Sequence, residues 1–171
     1  MLPCALLDGT DQQTSRTDRF SIYLNRSVQK ATSRLPHSQK VTAMVIAGLV
    51  LTGVAALIHV YIFYLESIAW TSKRARATFG TSVEETGSTK ELAFNQGFYN
   101  LFLALSVAAG LFFWGFGNHT VGSTLIFVGA GSMVAASVVL FVFSADKRPA
   151  ALKQGVIPAL GILFLALGLA I

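Results

Sequence analysis

The sequence contains one cysteine, Cys4. A disulfide within the chain is therefore impossible, and clusters held by several thiolates are excluded. Charge is scarce: Asp, Glu, Lys and Arg make up 12% of the 171 residues, about half the usual globular share of roughly 25%. Residues 121–143 carry none at all. Gly-x-Ser-x-Gly nucleophile elbows, His-Glu-x-x-His zinc helices and phosphate-binding glycine loops are missing. His59, His119 and Glu66 do not make a zinc set either, because a turn separates them onto opposite ends of the helices. No metal and no cofactor is expected. The net charge of +5 does not point to nucleic acid, since no polar stretch is long enough to form a recognition domain.

Four long apolar runs are what the chain does have, so an all-α integral membrane bundle of four transmembrane helices is expected. Met44–Leu65 has 22 residues without a formal charge. At about 1.5 Å per residue it crosses a hydrocarbon core of about 30 Å. Leu92–Phe116, Val121–Phe143 and Ala151–Ile171 follow. The turn Gly117–Thr120 is short and makes its flanking helices antiparallel neighbours. A soluble bundle would need a polar face on each helix, and the third run has none. Gly48, Thr52 and Ala56 recur every four residues, as do Gly131 and Ala135. Such spacing lets a second helix approach closely. Pro158 falls in the first half of the fourth run.

Residues 1–43 are expected to stand apart from the domain at 44–171. They are polar and basic, with six Lys/Arg and three Asp, and read as a disordered tail or as sequence upstream of a start at Met44. Arg19–Lys40 has the acid-free, Arg- and Ser-rich composition of a mitochondrial presequence. A multi-pass location in the cytoplasmic membrane of a cell is expected, or a mitochondrial membrane for a eukaryotic source. The connections 66–91 and 144–153 carry four and three basic residues, whereas Gly117–Thr120 carries none. For a start at Met44 the positive-inside rule then puts the two basic connections in the cytoplasm and both termini outside, an orientation that the six basic residues of the tail oppose.

Polar residues within the runs cluster. His59 and Glu66 are seven apart and share one helix face. Asn95 and Tyr99 are four apart, as are Gln96 and Asn100. Gln154 opens the fourth helix. Antiparallel packing brings the end of helix one and the starts of helices two and four to one side. His59, Glu66, Asn95, Gln96, Tyr99, Asn100 and Gln154 are thus candidates to line one pocket. Their bland reading is interhelical hydrogen bonding, at about 0.6 kcal/mol per bond, with Glu66 paired to Lys73 or Arg74.

Three stretches resemble a known family: His59–Glu66 with Trp70-Thr71 and Phe79-Gly80, then Asn95-Gln96-Gly97-Phe98-Tyr99-Asn100, then Gln154-Gly155-Val156-Ile157-Pro158. Together they are similar to the short prokaryotic membrane proteins of domain-of-unknown-function family 1304. The resemblance covers about Met44–Ile171 and implies four helices in a bacterial cytoplasmic membrane, with no activity attached. Members of that family usually begin at the first helix, so the tail departs from the pattern.

Three functions fit these residues. The first is binding or transport of a small amphipathic or cationic molecule, with Glu66 as the charge and Tyr61, Tyr64, Trp70 and Tyr99 as aromatic surface. The lipid bilayer and a lipophilic ligand are its partners, and transport by four helices would require a homodimer. The second is an isomerase or epimerase on a lipid-soluble substrate, with His59 and Glu66 as an acid/base pair. The third is a structural subunit that docks through the third helix.

Overall fold

The computed structural model describes residues 21–25 and 36–171. They fall into two units, one ending at Lys40 and the other Val41–Ile171. The first is represented by an exposed helical stretch at 21–25 and by the opening turn of the first long helix. Cys4, and the expectation of a disordered tail, lie outside the described residues.

Four long helices build the second unit: α1 (His37–Phe63), α4 (Lys90–Gly115), α5 (His119–Phe143) and α6 (Arg148–Ala170). Two short helices, α2 (Lys73–Phe79) and α3 (Val83–Ser88), occupy the first connection, and no strand occurs among the described residues. The first helix starts at His37, seven residues before the apolar run. Ser38, Gln39 and Lys40 are good enough helix formers to extend it beyond the oily segment.

All four long helices are long and apolar enough to cross a membrane, yet only 22% to 28% of each apolar window is buried within the chain. Val50, Leu57, Phe102, Leu105, Phe112, Val138, Val142 and Leu163 all point outward. A soluble protein rarely exposes so much contiguous apolar surface. Lipid is the solvent for which this surface is suited, and the protein is an integral membrane bundle.

Inside the bundle the residues are small. Ala55, Ala56, Ala104, Val107, Ala130 and Met133 form its centre. Lipid tails are as apolar as leucine, so helices gain little by hiding apolar surface from them and associate by close van der Waals packing instead. Glycines make the approach possible in each seam. A Cβ built on Gly48 of α1 would sit 2.7 Å from the Leu165 Cβ of α6, and one on Gly161 would sit 2.7 Å from the Thr52 Cγ2. Between α4 and α5, a Cβ on Gly110 would lie 2.8 Å from the Gly122 carbonyl oxygen. Thr52 keeps its hydroxyl satisfied within its own helix, donating to the Gly48 carbonyl at 2.9 Å.

The stripe at Gly48, Thr52 and Ala56 is buried as its spacing predicted. The Gly131 and Ala135 pair is not. Ala135 is exposed, and a Cβ on Gly131 would meet nothing within 4 Å. The buried face of α5 instead runs through Gly122, Ile126, Gly129, Ala130, Met133 and Ser137. Every helix of this composition carries several small-residue repeats, and only the partner decides which one is used.

Two capped short helices order the first connection. Ser72 caps α2 by accepting from the Ala75 amide, and α2 ends at Gly80 with φ 65°. Ser82 and Glu85 form a reciprocal capping box at the start of α3. The Ser-x-x-Glu pattern was readable there and marks a helix start inside a polar stretch.

Replacing Gly48 by valine is expected to lower the thermal midpoint of the detergent-solubilised protein, the overpacking cost being about 1–3 kcal/mol. Gly131→Val serves as the control and should leave the midpoint within about 0.5 kcal/mol of the parent. Equal effects in differential scanning fluorimetry would contradict the packing described.

Candidate functional site

Helix α1 does not stop cleanly. Its last turn widens into a π-helical segment, Tyr64–Ile68, closed by the Ala69 amide donating to the Tyr64 carbonyl at 2.9 Å. Such segments are rare and often occur at functional sites. Glu66 sits in the middle of this one. Ser67 fastens the segment to α4 by donating to the Phe94 carbonyl at 2.9 Å.

Gly97 lets the two elements meet. A Cβ on it would touch the Ser67 hydroxyl and lie 3.1 Å from the Phe63 carbonyl oxygen. The close approach carries Asn100 to Glu66, and the Asn100 Nδ2 donates to the Glu66 Oε2 at 2.8 Å. The same amide also donates to the Gln96 carbonyl at 3.1 Å. Gln154 has a parallel setting. Its neighbour Gly155 packs so tightly on Ser137 that a Cβ would touch the serine hydroxyl. In both Gln-Gly pairs the glycine brings the helix in and the glutamine faces the space that remains.

That space is a cavity of about 610 Å³ at the end of the bundle where the first and last connections meet. His59, Glu66, Gln96, Tyr99, Asn100 and Gln154 line it. Asn95 does not. It is exposed, although Tyr99, one turn later on the same side of the helix, reaches the lining. Tyr61 and Tyr64 also point outward, whereas Trp70 and Tyr99 reach the lining.

One wall comes from a helix that sequence reasoning treated as featureless. Met133, Ala136, Val139, Leu140 and Phe143 of α5 line the cavity together with its polar groups. An antiparallel bundle must bring the end of the third helix to this side, together with the end of the first. Thr81, Ser144 and Lys147 complete the mouth. The Lys147 Nζ donates to the Gly80 carbonyl at 3.0 Å and pairs with Asp146 at 3.2 Å, its side chain 25% exposed. Only the fold reveals these three, because each belongs to a connection with ordinary polar composition.

His59 is 1% exposed. Its Nδ1 lies 2.9 Å from the Ala55 carbonyl oxygen. A carbonyl only accepts, so Nδ1 carries the proton, and in the neutral ring Nε2 is left with its lone pair. Pro158 is buried within α6 and lacks an amide hydrogen, so the Gln154 carbonyl four residues earlier has no helical donor. Glu66 makes no ion pair with Lys73 or Arg74; the bridge between Lys147 and Asp146 is the only one among the described residues.

A family model described as "Protein of unknown function (DUF1304)" matches residues 53–166. The chain belongs to that family. No curated protein and no solved structure matches it. The matched region of this DUF1304 member contains every residue that lines the cavity. It begins beyond Gly48, so the first turns of α1 lie outside it.

Cysteine scanning in a Cys4→Ser chain tests the geometry. A cysteine replacing Gln154 is expected to react with a membrane-impermeant maleimide from one face, and one replacing Asn118 from the opposite face. A cysteine replacing the outward-facing Leu163 should react from neither. Labelling of both polar positions from the same face would overturn the antiparallel arrangement.

Proposed function

We propose that this protein binds a small amphipathic molecule in the cavity at the connection end of the bundle. The observation that carries the reading is the division of the lining into two chemistries. Glu66, His59, Asn100, Gln96 and Gln154 gather on α1, α4 and α6, while α5 supplies an apolar wall. A volume of about 610 Å³ falls within the range of small-molecule sites, about 300–1,000 Å³. An amphipathic occupant places its head against the first set and its tail against the second. The Lys147 contact with the Gly80 carbonyl joins the two basic connections at the mouth. By the positive-inside rule that mouth faces the cytoplasm, with the protein in a cell's cytoplasmic membrane or, in a eukaryote, a mitochondrial one. Carrying the molecule across the bilayer would require a second copy of the chain.

Ala136 is exposed on the cavity wall, so a bulky side chain there fills the space without entering the packed seams. Native mass spectrometry of the protein in nanodiscs, titrated with dodecylamine, dodecanol and dodecanoic acid, tests the reading. At least one amphiphile is expected to bind the parent chain one to one, and Ala136→Trp should weaken that binding at least tenfold. Indistinguishable binding to the two proteins would remove the proposal.

One observation favours a second reading. The fixed tautomer of His59 presents an unprotonated nitrogen in the same cavity as a carboxyl group, as an acid/base pair for isomerising a lipid-soluble substrate requires. Turnover of a member of an isoprenoid and sterol panel, abolished by His59→Gln, is its expected signature. A panel without any product would set it aside.

A further inference from the structure

We propose that the head group recognised in this cavity is a primary ammonium on an apolar chain, an inference that rests on the amphiphile-binding reading and names its ligand class. The argument is a census of hydrogen-bonding capacity in the lining. Several donors of the lining are consumed within the protein. The Asn100 amide donates to Glu66 and to the Gln96 carbonyl. The Trp70 Nε1 donates to the Thr89 hydroxyl at 3.3 Å. The Lys147 ammonium is engaged by Gly80 and Asp146.

The acceptors are left over. Asn100 meets Oε2 of Glu66, and Oε1 has no protein partner among the described residues. Nε2 of His59 is free because Nδ1 holds the Ala55 carbonyl. The Thr81 hydroxyl is buried and without a partner, and it can donate as well as accept. Gln96, Tyr99, Gln154 and Ser144 offer both donors and acceptors and so do not tip the balance.

A cavity with surplus acceptors and one carboxylate selects a ligand with surplus donors and positive charge. A primary ammonium has three N–H donors and no acceptor. Carboxylate and phosphate heads are acceptors only and would face Glu66 with like charge. A quaternary ammonium carries the charge but no N–H, so it leaves Oε1 and Nε2 unpaired, which is costly away from water. Trp70, Phe79 and Tyr99 add aromatic surface that favours a cation. Lys147, the one cation of the lining, is paired with Asp146.

The experiment ranks heads at constant tail length. Dodecylamine, dodecyltrimethylammonium, dodecanol and dodecanoic acid are titrated against the protein in zwitterionic nanodiscs, and binding is read by native mass spectrometry. Dodecylamine is expected to bind at least tenfold more tightly than each of the others. In Glu66→Gln its advantage over dodecanol should fall below threefold. Equal binding of the four heads would overturn the assignment, as would an amine preference that survives Glu66→Gln. If Glu66→Gln does not remain monodisperse, the ranking on the parent chain decides alone. Loss of every amphiphile in Ala136→Trp, without any ranking by head, would leave the cavity reading standing and remove only the ammonium.

Discussion

Helices in a lipid solvent have little to gain from hiding apolar side chains, and the fold depends on that constraint. Cohesion must come from contact, and contact is closest where there is no side chain. Gly48 against Leu165, Gly161 against Thr52, Gly110 against Gly122 and Gly155 against Ser137 bring the four helices together at backbone distance. The centre of the bundle is consequently made of alanines, one valine and one methionine rather than of large side chains. Many large apolar residues lie on the outside, where acyl chains surround them, while Leu65, Ile126 and Leu165 are fully buried.

The same constraint locates the cavity. Backbone and side-chain polar groups at membrane depth must find partners within the protein. Most do: Thr52 within its helix, Ser67 on Phe94, Asn100 on Glu66. Two backbone irregularities interrupt this pattern at the same end, the π-helical turn that holds Glu66 and the proline that strips a donor from Gln154. The first shifts the helical hydrogen bonds to a wider spacing, and the second removes a helical donor. Their convergence, with His59 beneath them, distinguishes this end of the bundle from the Gly117–Thr120 end. At that other end Asn118 caps α5 and His119 stacks on Trp114 at 4.5 Å.

Much of the cavity was legible in the sequence. The spacing of His59 and Glu66, the Asn-Gln-Gly-x-Tyr-Asn run and Gln154 placed six of seven candidate residues on its lining. Asn95 stays off the lining although Tyr99, four residues later on the same side of the helix, reaches it: spacing fixes the side of a helix but not how far along it a cavity extends. The α5 wall was not readable, because Met133, Val139 and Leu140 are chemically no different from lipid-facing residues. Lys147, Thr81 and Ser144 were hidden for another reason, being polar residues in connections where polarity is the default.

Length and oiliness by themselves determined that this chain is a four-helix membrane protein, since no other environment accommodates runs of more than twenty residues without charge. Local chemistry also determined that its polar groups gather toward one end. Tertiary structure decided which small residues touch, which face of α5 turns inward and which hydrogen-bonding atoms remain without a protein partner. Those outcomes depend on pairing between helices far apart in the chain. A glycine repeat or an amide states only what an approach would permit, and the neighbour that arrives determines whether it is used.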